Sequence, residues 1–142
     1  MKGLLTFLSV CLFALLCGCA LRFKDVSNEP EYAPLLNTRY SSKTDMFIYG
    51  VNLPPGYGSE IDIYKIRPIS SKIRGREIIT EGFLTPGTII EVQSIKKSIN
   101  HLLGWPSVDA VVTVNPYKKM ADVPIAIDLR YLQSTNYVKR LE

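Results

Sequence analysis

Cysteine and histidine are scarce in this chain of 142 residues, and their placement narrows its chemistry. The three cysteines, Cys11, Cys17 and Cys19, all fall within the first twenty residues. From Ala20 to Glu142 there is none, which excludes an internal disulfide or a cysteine nucleophile in the body of the chain. His101 is the single histidine. A zinc site needs several His, Cys or carboxylate ligands at short spacing, and the sequence has no such group. A serine triad on His101 would need a nucleophile elbow of the Gly-x-Ser-x-Gly kind, which is missing. His101 is expected as a structural loop residue. Gly56-Tyr57-Gly58 follows two prolines and opens no helix, so it is expected as a turn and not as a phosphate cradle. No cofactor and no metal is implied.

Helical periodicity is nearly as scarce. No stretch of the body supports an amphipathic helix of three turns, and no internal repeat is visible. The formal charge of +4 falls to about +3 if Lys2 leaves with a leader. The bases are not gathered on a recognition helix, so nucleic acid is not an expected partner.

Short alternating runs are what the body does contain. Met46 to Asn52 is apolar on both faces, as a central strand is. Ile61 to Ile66 alternates, Glu77 to Leu84 is a further strand, and Thr88 to Lys96 turns Ile90 and Val92 inward. Thr85-Pro86-Gly87 supplies a tight turn before it. Asp109 to Val114 puts Ala110, Val112 and Val114 on one face. Ile125, Ile127, Leu129 and Tyr131 alternate with Ala126, Asp128 and Arg130. Helical turns are expected only near Ser98–Leu103 and Ser134–Leu141. These patterns predict an all-β domain, a small antiparallel barrel or sandwich of five to six strands.

The beginning of the chain is of another kind. Lys2 provides a positive start, Leu4 to Leu16 is an uncharged apolar run, and small residues follow at Gly18 and Ala20. That order is the pattern of a secretory signal peptide. Leu16-Cys17-Gly18-Cys19 resembles the lipobox of bacterial lipoproteins, with Cys17 where alanine or serine is more usual. The resemblance implies cleavage before Cys19 and a diacylglyceryl group on its sulfur. It also implies a bacterial envelope location, lipid-anchored in the membrane. Ala20 stands where aspartate would signal inner-membrane retention, so the resemblance favours the outer membrane, facing periplasm or surface. Two or more acyl chains hold a protein stably where one holds marginally. The alternative is an uncleaved span from Leu4 to Leu21, near the lower length limit for crossing a bilayer.

The division expected is therefore a leader over 1–18, a lipidated N-terminus and polar tether over 19–43, and a β domain over 44–142. Asn28-Glu29-Pro30, Pro34 and Asn37-Thr38 interrupt any periodicity in the tether, though Tyr32, Leu35 and Leu36 have the character to dock.

Three features of the body are candidate contacts. Lys65, Arg67, Lys72, Arg74 and Arg76 form a basic run with no acid between Asp62 and Glu77. Arginine forks suit phosphate and carboxylate oxygens, and the competing reading is a solvated loop. Tyr49, Tyr57 and Tyr64 lie near that run. In Asn100–Pro106, the apolar Leu102, Leu103 and Trp105 either plug a barrel end or form a partner-binding patch. The expected function is a membrane-anchored, non-enzymatic binding or structural module contacting an envelope protein. Alternatives are an enzyme or accessory factor acting on peptidoglycan or polysaccharide through Asp62, Asp109 and Asp128, and an anionic lipid or lipopolysaccharide binder using the basic run.

Overall fold

The computed structural model describes residues 23–53, 58–99, 107–115 and 122–141. They form an all-β fold. Its strands are β1 (Phe23–Asp25), β2 (Arg39–Ser42), β3 (Met46–Val51), β4 (Ile63–Pro68), β5 (Ile78–Leu84), β6 (Ile89–Ser98), β7 (Val108–Asn115), β8 (Ile125–Asp128) and β9 (Val138–Leu141). One α-helical turn, α1 (Leu129–Leu132), follows β8 directly. The strands make one sheet in the order β5-β3-β4-β8-β7-β6-β2-β9, and β1 pairs with the far half of β6.

The six strands expected from alternation are all present, as β3 to β8. β3 is buried along its whole length because it lies between β4 and β5 and is covered on both faces. The expected barrel, however, is not closed: β5 and β9 end the sheet without pairing to each other. The sheet nevertheless curls strongly. A four-residue turn, Thr85–Thr88, joins edge strand β5 to β6, which lies on the other side of four intervening strands, β3, β4, β8 and β7. Gly87 takes φ +87° in that turn and Thr88 N–H donates to Thr85 O at 3.2 Å, the arrangement in which Pro at the second position and Gly at the third fit best. Side chains complete the corner. Ser42 Oγ donates to Thr85 O at 2.8 Å and accepts from the Thr88 amide at 3.0 Å.

Three further expectations about the strands are corrected. The sheet is not wholly antiparallel, because β4 and β8 run parallel, Tyr64 opposite Ile125. The alternation through Tyr131 stops at Asp128, whose carboxylate caps α1 by accepting from the Arg130 amide at 2.9 Å. Residues 138–141, expected near a helical turn, form β9 against β2.

The polar stretch read as a tether is the largest correction. Phe23–Asp25 pairs with Lys96–Ser98, and Arg39–Ser41 pairs with Ile89–Glu91. Between these pairings the Val26 amide donates to Ile95 O, and Asn37 and Thr38 exchange hydrogen bonds with Val92. The prolines and Asn37, at φ 57°, shape an excursion from one edge of β6 and not an unstructured linker. Its apolar residues Val26, Tyr32 and Tyr40 enter the main core with Met46, Ile66, Ile90, Val92, Ile95 and Leu132.

Candidate binding face

Alternation along the central strands gives the sheet two buried sides. Met46, Ile48 and Ile66 point into the main core. Phe47, Tyr49, Val51, Ile63 and Ala126 form a second cluster on the opposite, outer face. Register then sets the neighbours. Phe47 lies between Arg67 on β4 and Phe83 on β5, and Tyr49 lies between Lys65 and Glu81.

The connection from β4 to β5 covers part of this face. It opens with a 3-10 turn, Ile69–Ser71, and ends where Glu77 O accepts from the Asn52 amide at 2.8 Å. Lys72 Nζ sits 4.9 Å from the centre of the Phe47 ring and 3.0 Å from Glu81 Oε1. Ile73 packs on the second cluster. Beneath it Tyr49 is fully buried, and its hydroxyl has no hydrogen-bond partner among the described residues. Burial pushes that hydroxyl's pKa up; the backbone amide of Ile73 is near enough to oppose this but does not reach hydrogen-bond geometry with it. Phe83 stacks on Phe47 at 4.8 Å between centroids and 43° between planes, yet keeps 53% of its surface exposed. Ile69, 47% exposed, follows β4 at the same end of the strands.

Further across the outer face runs a charged row. Asp25 opposes Lys96, Lys96 opposes Asp109, and Asp109 opposes Asp128. Like charges directly across a ladder repel. Here each carboxylate has its own cation. Lys65 Nζ is 3.0 Å from Asp109 Oδ2, with the Asp109 side chain only 6% exposed. Arg130 Nη2 is 2.7 Å from Asp128 Oδ2. Burial alone would raise the Asp128 pKa; the hydrogen bonds and charge of Arg130, helped by Arg67, outweigh it and hold the pKa below its ordinary value. Beside this row a groove of about 130 Å³ is lined by Phe23, Leu53, Ile63, Val111, Pro124 and Ala126, with Lys96, Asp62 and Asp109 at its walls.

The structure thus splits the basic run. Lys65 is spent on Asp109, and Lys72 on Glu81 and Phe47. Arg67 is half-buried in β4, while Arg74 and Arg76 are exposed on the connection. Tyr64 packs against the main core and Tyr49 lies under the connection, so neither presents a recognition surface. Cys19, Tyr57, His101 and Trp105 lie outside the described residues. Asp62 is separate from Asp109 and Asp128 in role: its carboxylate accepts from the Leu53 amide at 2.7 Å and from Asn52 Nδ2 at 2.9 Å, clamping the β3–β4 connection. Among the described residues no group of three or more His, Cys, Asp or Glu is placed to hold a metal ion.

Phe47 and Phe83 are the functional candidates that sequence reasoning passed over. Both sit in strand patterns where an aromatic residue is ordinary, and only the pairing of β3 with β5 stacks them. Compared with known proteins, the chain matches no family model, no curated protein and no solved structure.

Proposed function

We propose that this chain is a lipid-anchored lipoprotein of the bacterial envelope whose β domain is a non-enzymatic binding module for an envelope protein. The anchor part rests on the lipobox at Leu16–Cys19. The binding part is carried by one observation: Phe83, more than half exposed on an edge strand, is pre-stacked on Phe47 with Lys72 over the second ring. A ring held in place by stacking loses little freedom on contact, and aromatic residues with arginines are enriched where proteins meet. Ile69 widens the apolar centre, and Arg74 and Arg76 supply a polar rim. Among the described residues, strand β5 pairs with β3 and stands at the end of the sheet order, which places Phe83 at its margin.

The carboxylates considered for glycan chemistry support binding over hydrolysis. Asp62 holds a connection, and Asp109 and Asp128 balance Lys65 and Arg130. Direct lipid binding through the basic run is also less favoured, since two of its five bases are committed to carboxylates.

A photo-crosslinking amino acid at position 83, used in intact envelopes, tests the reading. A discrete protein adduct is expected there, absent when the probe sits at exposed Thr113 on β7. Reversing Arg74 and Arg76 to glutamate should weaken the adduct without lowering the melting temperature. Absence of any protein adduct at 83, together with binding to anionic liposomes that the same reversals abolish, would replace the protein reading with the lipid one.

A further inference from the structure

The position of β1 fixes how the domain is held once anchored, an inference that rests on the reading of Cys19 as the lipid site. Phe23, where β1 begins, follows Cys19 by four residues. Even fully extended, four residues reach roughly 14 Å, about half the thickness of a bilayer's hydrocarbon core. The stretch that would have let the domain stand away is folded into the sheet, so the β1 end is held at the headgroup layer.

That end has the chemistry of such a contact. Phe23 pairs with Ser98, the last residue of β6, and Ile99 follows with 45% of its surface exposed. Lys24 lies directly opposite Lys97, and Lys96 opposite Asp25. A lysine pair facing across a ladder is unfavourable in water. Among the described residues, its one carboxylate neighbour by ion pairing is Glu29, 3.4 Å from Lys24 with both side chains exposed. An anionic surface turns that repulsion into attraction, and an exposed isoleucine beside the lysines suits the boundary between headgroups and acyl chains.

We propose that the β1–β6 end, presenting Ile99 with Lys24 and Lys97, seats on an anionic phospholipid surface. β6 has ten residues, so the turn Thr85–Thr88 at its opposite end lies roughly 30 Å away along the strand. Phe83, next to that turn in sequence, then faces the envelope space where a protein partner is met.

The test uses the full chain, expressed, processed and extracted with its lipid. The leader carries Cys11 and Cys17 away and lipid blocks Cys19, so Ile99→Cys and Thr85→Cys each offer one thiol for a spin label. In vesicles containing phosphatidylglycerol, a water-soluble relaxation agent should reach the label at 85 and be excluded from the label at 99. In phosphatidylcholine alone, exclusion at 99 should weaken. Lys24→Gln with Lys97→Gln should do the same in anionic vesicles. Each lysine near an anionic surface favours the seated state roughly fivefold, so losing both lowers it roughly 25-fold. A thermal melt of each variant excludes misfolding as the cause. Equal accessibility at 99 and 85 in anionic vesicles, with lipid on Cys19 shown by intact mass, overturns the orientation and leaves the anchor standing. A mass starting at Met1 overturns both.

Discussion

Tyr49 and Lys65 sit next to each other across β3 and β4, and they show how single side chains set the energetics of the outer face. The Tyr49 hydroxyl is buried with no partner among the described residues, and such a group costs about 1–3 kcal/mol. Tyr49→Phe is therefore expected to be neutral or to stabilise by about 1 kcal/mol, read as a rise in urea midpoint with unchanged slope. Lys65 and Asp109 behave in the opposite sense. Asp109 is nearly fully buried, whereas the Lys65 side chain keeps 23% of its surface exposed. Lys65→Met strands a carboxylate away from water and should cost about 3 kcal/mol. Asp109→Asn leaves a cation that can still reach solvent and should cost about half as much. Equal losses for the two variants would show that the pair is not the asymmetric one described.

At the scale of elements, the turn before β6 and the cap of α1 decide where strands end. Gly87 sits at φ +87°, a region in which a side chain costs about 1–2 kcal/mol. Gly87→Ala should lower stability by about that amount, although nothing lies within 4 Å of the added methyl. A loss below a few tenths of a kcal/mol in a denaturant titration would contradict the turn assignment. Asp128 has two tasks, capping α1 and pairing with Arg130. Asp128→Ala should cost about 1 kcal/mol from the lost cap, whereas Asp128→Asn keeps a capping oxygen and loses only the charge. Because the folded pKa lies below the ordinary 3.8, the ionised group stabilises the fold above that pH. That contribution disappears as pH falls through the folded value. The stability gap between Asp128 and its asparagine variant should therefore be constant near neutrality and close only below about pH 4.

For the whole molecule, the polar N-terminal stretch is part of the fold. β2 connects β6 to β9, and Val26, Tyr32 and Tyr40 fill the main core. Burying each such side chain contributes about 1.5–3 kcal/mol, and a domain's net stability is only about 5–15 kcal/mol. A chain begun at Lys43 is expected to lose its cooperative thermal transition, since among the described residues β9 pairs with β2 alone. A sharp melt from that truncated chain would return the stretch to the status of a tether.

Alternation along the chain was sufficient to place β3 to β8, because a half-buried strand must repeat every two residues and a central one must be apolar throughout. Thr85-Pro86-Gly87 was legible for a similar local reason: its backbone needs a fixed φ followed by a positive one. β1, β2 and β9 were not legible. Each is three or four residues long and polar on one side, and their strand character comes from hydrogen bonds to residues far along the chain. The same limit applied to the candidate site. The sequence displayed five bases as one run, but only cross-strand register assigned Lys65 to Asp109 and Lys72 to Glu81, and only the β3–β5 pairing stacked Phe83 on Phe47. Local patterning by itself determined the all-β class, and the proposed lipobox at Leu16–Cys19 rests on local pattern alone. The long-range ladder decided which charges are spent, which ring is presented and how near to Cys19 the sheet begins, because those depend on pairing partners that no local segment contains.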